Sequence, residues 1–305
     1  MRNFDYLKLG ASLYVPATHR DILAIANGHK HAHLRSVIFC LEDAVLESDV
    51  PTALANVRTM LNELVPTPGK LRFIRVRNRE ILDECLKLDG IERIDGFVLP
   101  KTTLQSFREY YSRLQHTKFL VMPTLETKEA LDQAEMAGLR DFILENNYAH
   151  RVLALRVGGN DLLNLFDMRR STTRTMYDSP MRYIIGQLIA CFRPHGFNLT
   201  SPVCELLFDR DILNEEVSLD LEAGLFGKTA VHPDQVSLIE AHYKVDARQV
   251  EEAQAILAPD APAVFRMNGR MCEPATHRNW AEAILARAEI YGVHGEDSRS
   301  LSLAA

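Results

Sequence analysis

Short apolar runs alternate along the chain with longer stretches of helical periodicity. The runs are Gly10–Val15, Ser36–Leu41, Leu71–Val76, Gly96–Leu99, Lys118–Met122, Val152–Val157, Asn198–Val203 and Gly224–Val231. They are rich in Val, Ile, Leu and Phe and rarely alternate with polar residues, the pattern of strands covered on both faces. Helical patterns fill the intervals at Arg20–His33, Pro51–Leu64, Arg79–Leu88, Leu104–Leu114, Lys128–Ala137, Ser179–Phe192, Asp209–Glu222 and Asp234–Ala241. Eight strand-then-helix units predict a (β/α)8 TIM barrel over residues 1–243. An open doubly wound sheet fits less well, because eight units close naturally and no GxGxxG follows the first run. Two further helical segments, Gln249–Leu257 and Ala275–Tyr291, are joined through a linker containing Pro259 and Pro262 and predict a C-terminal helical extension over residues 244–305. The tail Glu296–Ala305 is polar and expected to fray.

Composition narrows the class. Of 305 residues, 47% are hydrophobic and 25% charged, the balance of an ordinary folded domain. A chain of this length buries about three quarters of its unfolded surface and needs no staple. The five cysteines, Cys40, Cys85, Cys191, Cys204 and Cys272, are scattered without a CxxC pair, so neither a disulfide framework nor a zinc cage is expected and a reducing cytoplasm is. The start shows no signal pattern, and no apolar run approaches the roughly 20 residues of a membrane helix, so no membrane association is expected. The net charge of −6 argues against nucleic acid as a partner, though a few arginines in a cleft still suffice for a small anion.

In a barrel the chemistry gathers where the strands end. The second run ends in Glu42-Asp43, the fifth leads to Glu126 and the sixth to Gly158-Gly159-Asn160-Asp161. Cations lie on the third run (Arg75, Arg77), after the fourth (Lys101) and on the eighth (Lys228). Alternation puts Arg75 and Arg77 on one face, and both point into the barrel mouth if Ile74 and Val76 face the helices. Any one such residue is as easily a helix cap or a solvated loop residue, Asp43 and Asp161 included. The coincidence of six strand ends is harder to dismiss. Glu126 and Asp161 offer oxygen ligands for a hard cation such as Mg2+, which takes one or two carboxylates and completes its octahedron with water and substrate. Gly158-Gly159 would let backbone amides approach a substrate carboxylate. His29, His31 and His33 lie in a helix-like stretch and read as surface. Arg169, Arg170 and Arg174 read as a basic patch, either solvated or in contact with an anion. Trp280 reads as packing for the last helix, and Cys40 as core.

These strand ends also carry a family likeness. Leu13-Tyr14-Val15-Pro16-Ala17, Leu41-Glu42-Asp43-Ala44-Val45, Ile74-Arg75-Val76, Val98-Leu99-Pro100-Lys101, Leu125-Glu126-Thr127, Gly159-Asn160-Asp161-Leu162, Gly227–Pro233 with Gln235, and Gly269-Arg270-Met271 follow one another in order. The sequence resembles the HpcH/HpaI aldolase and citrate lyase beta-subunit superfamily, above all its citrate lyase beta-like branch and the carbon–carbon bond lyase-like proteins of tellurium-resistance gene clusters. The resemblance implies a Mg2+-dependent barrel lyase acting on a 2-oxo or 3-hydroxy acid such as oxaloacetate, pyruvate or glyoxylate, often as a coenzyme A thioester. It implies Glu126 and Asp161 as metal ligands, Arg75 as the oxo-acid arginine, Glu42 and Asp43 as carboxylates near the metal, and Lys101 as the lysine of the fourth strand. Gly158, Gly159 and Asn160 would border the substrate. A homo-oligomer, a trimer or hexamer, is implied as well.

Three positions depart from the family pattern. Cys40 stands where an aspartate is usual, Met271-Cys272-Glu273-Pro274 offers Glu273 for an aspartate contributed by a neighbouring subunit, and Thr18-His19-Arg20 changes the first loop. Three functions are therefore weighed: a lyase or aldolase working through a metal-stabilised enolate, a non-catalytic metabolite-binding member of a larger complex, and a class II aldolase for free 2-oxo acids.

Overall fold

A computed structural model describes residues 4–294; the polar tail named above lies outside them. The chain divides into two compact units, Phe4–Ile239 and the residues from Glu240 onward.

The first unit is built on eight strands: β1 (Ala11–Pro16), β2 (Ser36–Cys40), β3 (Leu71–Arg75), β4 (Gly96–Leu99), β5 (Leu120–Leu125), β6 (Leu155–Val157), β7 (Leu199–Thr200) and β8 (Lys228–Ala230). Their order is β7-β6-β5-β4-β3-β2-β1-β8, and every pairing is parallel. A bridge between Ser201 and Lys228, with Ser201 N–H donating to the Gly227 carbonyl, closes the ring between β7 and β8. This is a (β/α)8 barrel. The apolar runs become strands because most of their side chains are apolar and need no water: β2 is buried at all five positions and β4 at all four. A closed parallel sheet covered by helices leaves no edge to solvate.

The helices are α1 (Ile22–Ala26), α2 (Val50–Glu63), α3 (Arg79–Leu86), α4 (Leu104–Leu114), α5 (Gln133–Glu145), α6 (Gly159–Asn164), α7 (Met181–Phe192), α8 (Arg210–Glu222) and α9 (Pro233–Ala241). Side-chain caps set several of their starts. Asn78 accepts from Ile81 N–H before α3, Thr103 and Ser106 form a reciprocal capping box on α4, and Asp209 caps α8. Caps also explain two departures from the sequence pattern. The helix expected over Lys128–Ala137 is a 3-10 turn (Lys128–Leu131) followed by α5, because Asp132 accepts from Ala134 and Glu135 N–H and starts a new helix. The helix expected over Arg20–His33 is only the five residues of α1, since Gly28 (φ +73°) and His31 (φ +55°) turn the chain out of helical geometry. The three histidines therefore lie in a turn, not on a helix.

The second unit contains β9 (Val245–Asp246), α10 (Ala247–Leu257), an antiparallel hairpin of β10 (Phe265–Met267) and β11 (Arg270–Cys272), α11 (Pro274–Tyr291) and β12 (Val293–His294), which pairs with β9 in parallel. The hairpin was not apparent in the sequence. Val245, Val250, Ala253, Ile256, Cys272, Ala281 and Ile284 form its core, and Trp280 packs against them. All five cysteines are free thiols, and no helix among the described residues is long and apolar enough to cross a membrane.

Candidate active site

The C-terminal ends of β2 to β5 bring five of the expected residues into one network. Arg75, the last residue of β3, is its centre: its side chain is 11% exposed, and its Nη2 lies 2.6 Å from Glu42, 3.1 Å from Glu126 Oε1 and 3.3 Å from Asp43. Lys101 Nζ reaches Glu42 at 2.6 Å and Asp43 at 3.3 Å. The Lys101 backbone, in the left-handed region at φ +46°, is unusual for a residue with a side chain. That turn points its amide at Glu126, whose Oε1 accepts it at 2.8 Å. Local strain is thus used to hold a carboxylate.

Arg77 takes a different place from the one its alternation with Arg75 suggests. Its guanidinium binds the Leu41, Glu42 and Val45 carbonyls and pairs with Glu47, so it braces the loop that carries Glu42 and Asp43.

Glu126 is the most constrained carboxylate. It is 1% exposed, and burial, with the nearby charges of Asp161 and Glu42, pushes it up to about 7 against the pull of Arg75 and the Lys101 amide. Its Oε1 is committed, whereas Oε2 accepts no hydrogen bond from the described residues and faces Gly158. A Cβ on Gly158 would lie 2.3 Å from Glu126 Cβ and 2.5 Å from Oε2. Gly158 is therefore needed for room beside Glu126, not for a free amide: its N–H donates to the Leu125 carbonyl. Gly159 has a similar steric role, since a Cβ there would meet Pro202 at 2.8 Å and Met176 at 2.9 Å. Asn160 is exposed and donates to Glu205 at 2.5 Å. Asp161, half-buried in the first turn of α6, is part of the helix and not its cap.

Burial raises Glu42 above the usual carboxylate range, opposed by Arg75 and Lys101. Burial acts the same way on Asp43, but its hydrogen bond with Glu42 and the charges of Arg75 and Lys101 prevail and hold it low. Lys101 is raised: burial opposes its charge, and the contacts with Glu42 and Asp43 outweigh burial. It stays an ammonium.

A cation fits this donor set. The carboxylates of Glu42, Asp43, Glu126 and Asp161 outnumber the cations Arg75 and Lys101 by two, and Glu126, raised first by burial and then by the charges of Asp161 and Glu42, retains a proton near neutrality. Glu126 Oε2 and Asp161 are hard oxygen donors. No group of three or more His, Cys, Asp or Glu suited to a metal occurs among the described residues. Two carboxylates with the remaining positions open are what Mg2+ accepts, whereas structural zinc wants four ligands.

Two further readings from the sequence change here, and one residue is added. Lys228 does not face the mouth: it is buried outside it, 2.9 Å from Asp220 and 3.3 Å from Glu216 on α8. Arg170 is neither solvated nor bound to an outside anion, because it is buried against the same Glu216 and the Val203 carbonyl. Arg156 on β6 went unnoticed. It is 3% exposed, donates to Thr229, and shares the Tyr14 ring with Arg75, the two guanidiniums lying 5.6 and 5.8 Å from its centroid. An arginine inside the run VLALRV was its only signal. It lowers the local negative excess to one. Glu273 precedes α11 in the second unit, where its N–H donates to His277 Nδ1.

A family model described as a C–C bond lyase of the TIM-barrel fold matches residues 3–293, so the chain belongs to that family. It is 25% identical over 287 residues to a (3S)-malyl-CoA thioesterase of Cereibacter sphaeroides, covering 91% of this chain and 93% of that protein. The fold is also that of CitE from Mycobacterium tuberculosis in complex with magnesium, acetoacetate and coenzyme A, with a TM-score of 0.68, 20% identity and coverage of 92% and 98% of the two chains. The citrate lyase beta subunit of M. tuberculosis complexed with oxaloacetate and magnesium superposes with a TM-score of 0.56 at 19% identity, covering 76% of this chain and 96% of the other.

Proposed function

We propose that this C–C bond lyase holds Mg2+ through Glu126 and Asp161, binds a 2-oxo acid against Arg75, and makes or breaks the carbon–carbon bond beside the resulting enolate. The observation that carries the reading is Glu126, a buried carboxylate with one oxygen fully engaged and the other open beside Gly158. The relatives named above that contain magnesium with acetoacetate or oxaloacetate support it by analogy of fold. When bound, the ion supplies a Lewis acid for the oxyanion that develops during cleavage. Arg75 grips the substrate carboxylate and is itself held by Glu42 and Asp43, so little reorganisation is needed when charge develops. Asp43, exposed and ionised, is the group that takes up and returns the proton. Lys101 positions Glu42, Asp43 and Glu126. Because it is held as an ammonium, it does not form a Schiff base. Glu273 would serve a neighbouring subunit's site in a homo-oligomer.

The thioesterase relative favours a second reading, hydrolysis of a thioester. Incubation with a 3-hydroxyacyl-coenzyme A such as malyl-CoA, with and without Mg2+, separates the two. Release of a 2-oxo acid with acyl-CoA supports the lyase, while free thiol with a hydroxy acid supports hydrolysis. If the 2-oxo acid binds with Mg2+ and no substrate in a panel of hydroxy acids and thioesters turns over, the protein is a metabolite-binding member and the catalytic reading fails.

A further inference from the structure

Arg156 is a buried guanidinium without a carboxylate. It donates to the Thr229 hydroxyl on β8 and toward Met122 Sδ on β5 at 3.8 Å, and it lies over the Tyr14 ring on β1; no carboxylate among the described residues comes within ion-pair distance of it. Contacts on β1, β5 and β8 are reached together from β6 only through the inside of the barrel, so the side chain crosses the lumen. A guanidinium keeps its charge in a protein, and taking it out of water is costly unless an anion meets it. A cation–π contact, one hydroxyl and a thioether return only part of that cost.

The residues around Arg156 are short of partners too. Pairing sets Thr124 of β5 on one side of it and Thr200 of β7 on the other, and paired residues of parallel strands share a face. Both threonine hydroxyls are buried, and neither has a hydrogen-bond partner among the described residues. Arg75 Nε, on the second guanidinium over the Tyr14 ring, is buried and unpartnered as well. Buried polar atoms normally find partners, yet here two hydroxyls and two guanidiniums with donors to spare face one part of the lumen. Glu126 follows Thr124 by two residues and so lies on the same face, about 6.6 Å further toward the mouth. Tyr14 and Thr229 are partly exposed, which opens this layer to the mouth beside β1 and β8.

We propose that Arg156, Thr124 and Thr200 form an anion subsite beneath Glu126 that takes a second carboxylate carried by the 2-oxo acid, so that the acid is a 2-oxodicarboxylate rather than pyruvate or glyoxylate. The guanidinium fork matches a carboxylate, and a hydroxyl on either side donates to it. The proposal rests on the reading of Arg75, Glu126 and Asp161 as the oxo-acid end, and it adds the kind of acid to that reading. The separation fits. With the 2-oxo group at the metal beside Glu126, a chain of one or two methylenes carries the far carboxylate down one pleat repeat of the barrel wall to Arg156. Pyruvate and glyoxylate leave Arg156 unpaired, which makes it the residue that selects between the two kinds of acid.

Calorimetric titration of the Mg2+-loaded protein with matched acids tests it. Oxaloacetate is compared with 2-oxobutyrate, and 2-oxoglutarate with 2-oxopentanoate, each pair differing only in whether the chain ends in a carboxylate or a methyl group. In at least one pair the dicarboxylate should bind about tenfold or more tightly, the worth of a hydrogen-bonded ion. Arg156→Met abolishes that preference by weakening the dicarboxylate alone, and R156K keeps part of it. T124V removes a hydroxyl that is bonded to nothing in the free protein. It weakens the dicarboxylate about threefold or more and leaves the monocarboxylate unchanged, and it carries the test if R156M does not fold. No preference in either pair, or a preference that R156M (or in its place T124V) leaves intact, overturns the proposal. So does inorganic phosphate that binds the 2-oxopentanoate-saturated wild type but not R156M, which would give the subsite to a free anion. Both acids bound equally well by E126A, with the dicarboxylate still weakened by R156M, overturn the oxo-acid reading and leave the subsite assigned.

Discussion

Removing the charge of Glu126 should stabilise the metal-free protein, and by an amount that grows with pH. The side chain is 1% exposed and its carboxyl is pushed up to about 7 from an ordinary 4.5. Between those values the folded protein keeps a proton that the unfolded chain has lost, so wild-type stability falls as pH rises through about 7. At 1.36 kcal/mol for each unit, the raised Glu126 carboxyl costs about 1.4 kcal/mol at pH 5.5, where the folded protein still holds its proton, and about 3.4 kcal/mol at pH 8.5, where it is ionised. Glu126→Gln removes this cost, keeps an oxygen for Arg75 and the Lys101 amide, and leaves Arg75 with Glu42 and Asp43. Urea unfolding of wild type and E126Q in EDTA should therefore diverge by about 2 kcal/mol between pH 5.5 and 8.5, with the variant gaining. The difference should narrow when Mg2+ is added, because only the wild type gains from binding. A variant that is less stable than wild type at pH 8.5, or a gap that does not change with pH, refutes the placing of Glu126 as a desolvated carboxylate awaiting a cation.

Other residues give separate tests. Gly158→Ala forces a Cβ against Glu126; it should cost about 1–3 kcal/mol in thermal or urea unfolding and weaken Mg2+ binding, whereas Asn160→Ala, an exposed change, should alter stability little. Lys228→Met leaves Glu216 and Asp220 buried with Arg170 as the remaining cation, so unfolding should show a loss of about 3–5 kcal/mol with no selective effect on 2-oxo acid affinity. Lys101→Arg preserves the charge but not the reach to Glu42 and Asp43. It should reduce kcat more than it alters Mg2+ affinity, and a large change in Mg2+ affinity with normal kcat would contradict the role given to Lys101.

The barrel was legible because its strands are buried throughout. Runs such as SVIFC in β2 and GFVL in β4 admit no other placement. Arg75, Glu126 and Lys101 were legible because a charged residue ending such a run must find a mouth, a metal or a partner. Lys228 met the same description and was misread, since period-two alternation separates the two faces of a strand without saying which one meets α8. Its partners Glu216 and Asp220 look in the sequence like ordinary charges on an amphipathic helix. Gly158 was singled out for its amide, yet its importance is the missing Cβ beside Glu126, a distance no local pattern encodes.

The central claim is that Glu126 and Asp161 together hold a divalent cation beside Arg75. Calorimetric titration of Mg2+ into wild type, E126A and D161A, each checked for folding, tests it most directly. The account predicts one site in the wild type, tightening as pH rises through about 7 as Glu126 gives up its proton, and loss of that site in both variants. Mg2+ affinity unchanged by either substitution would contradict it.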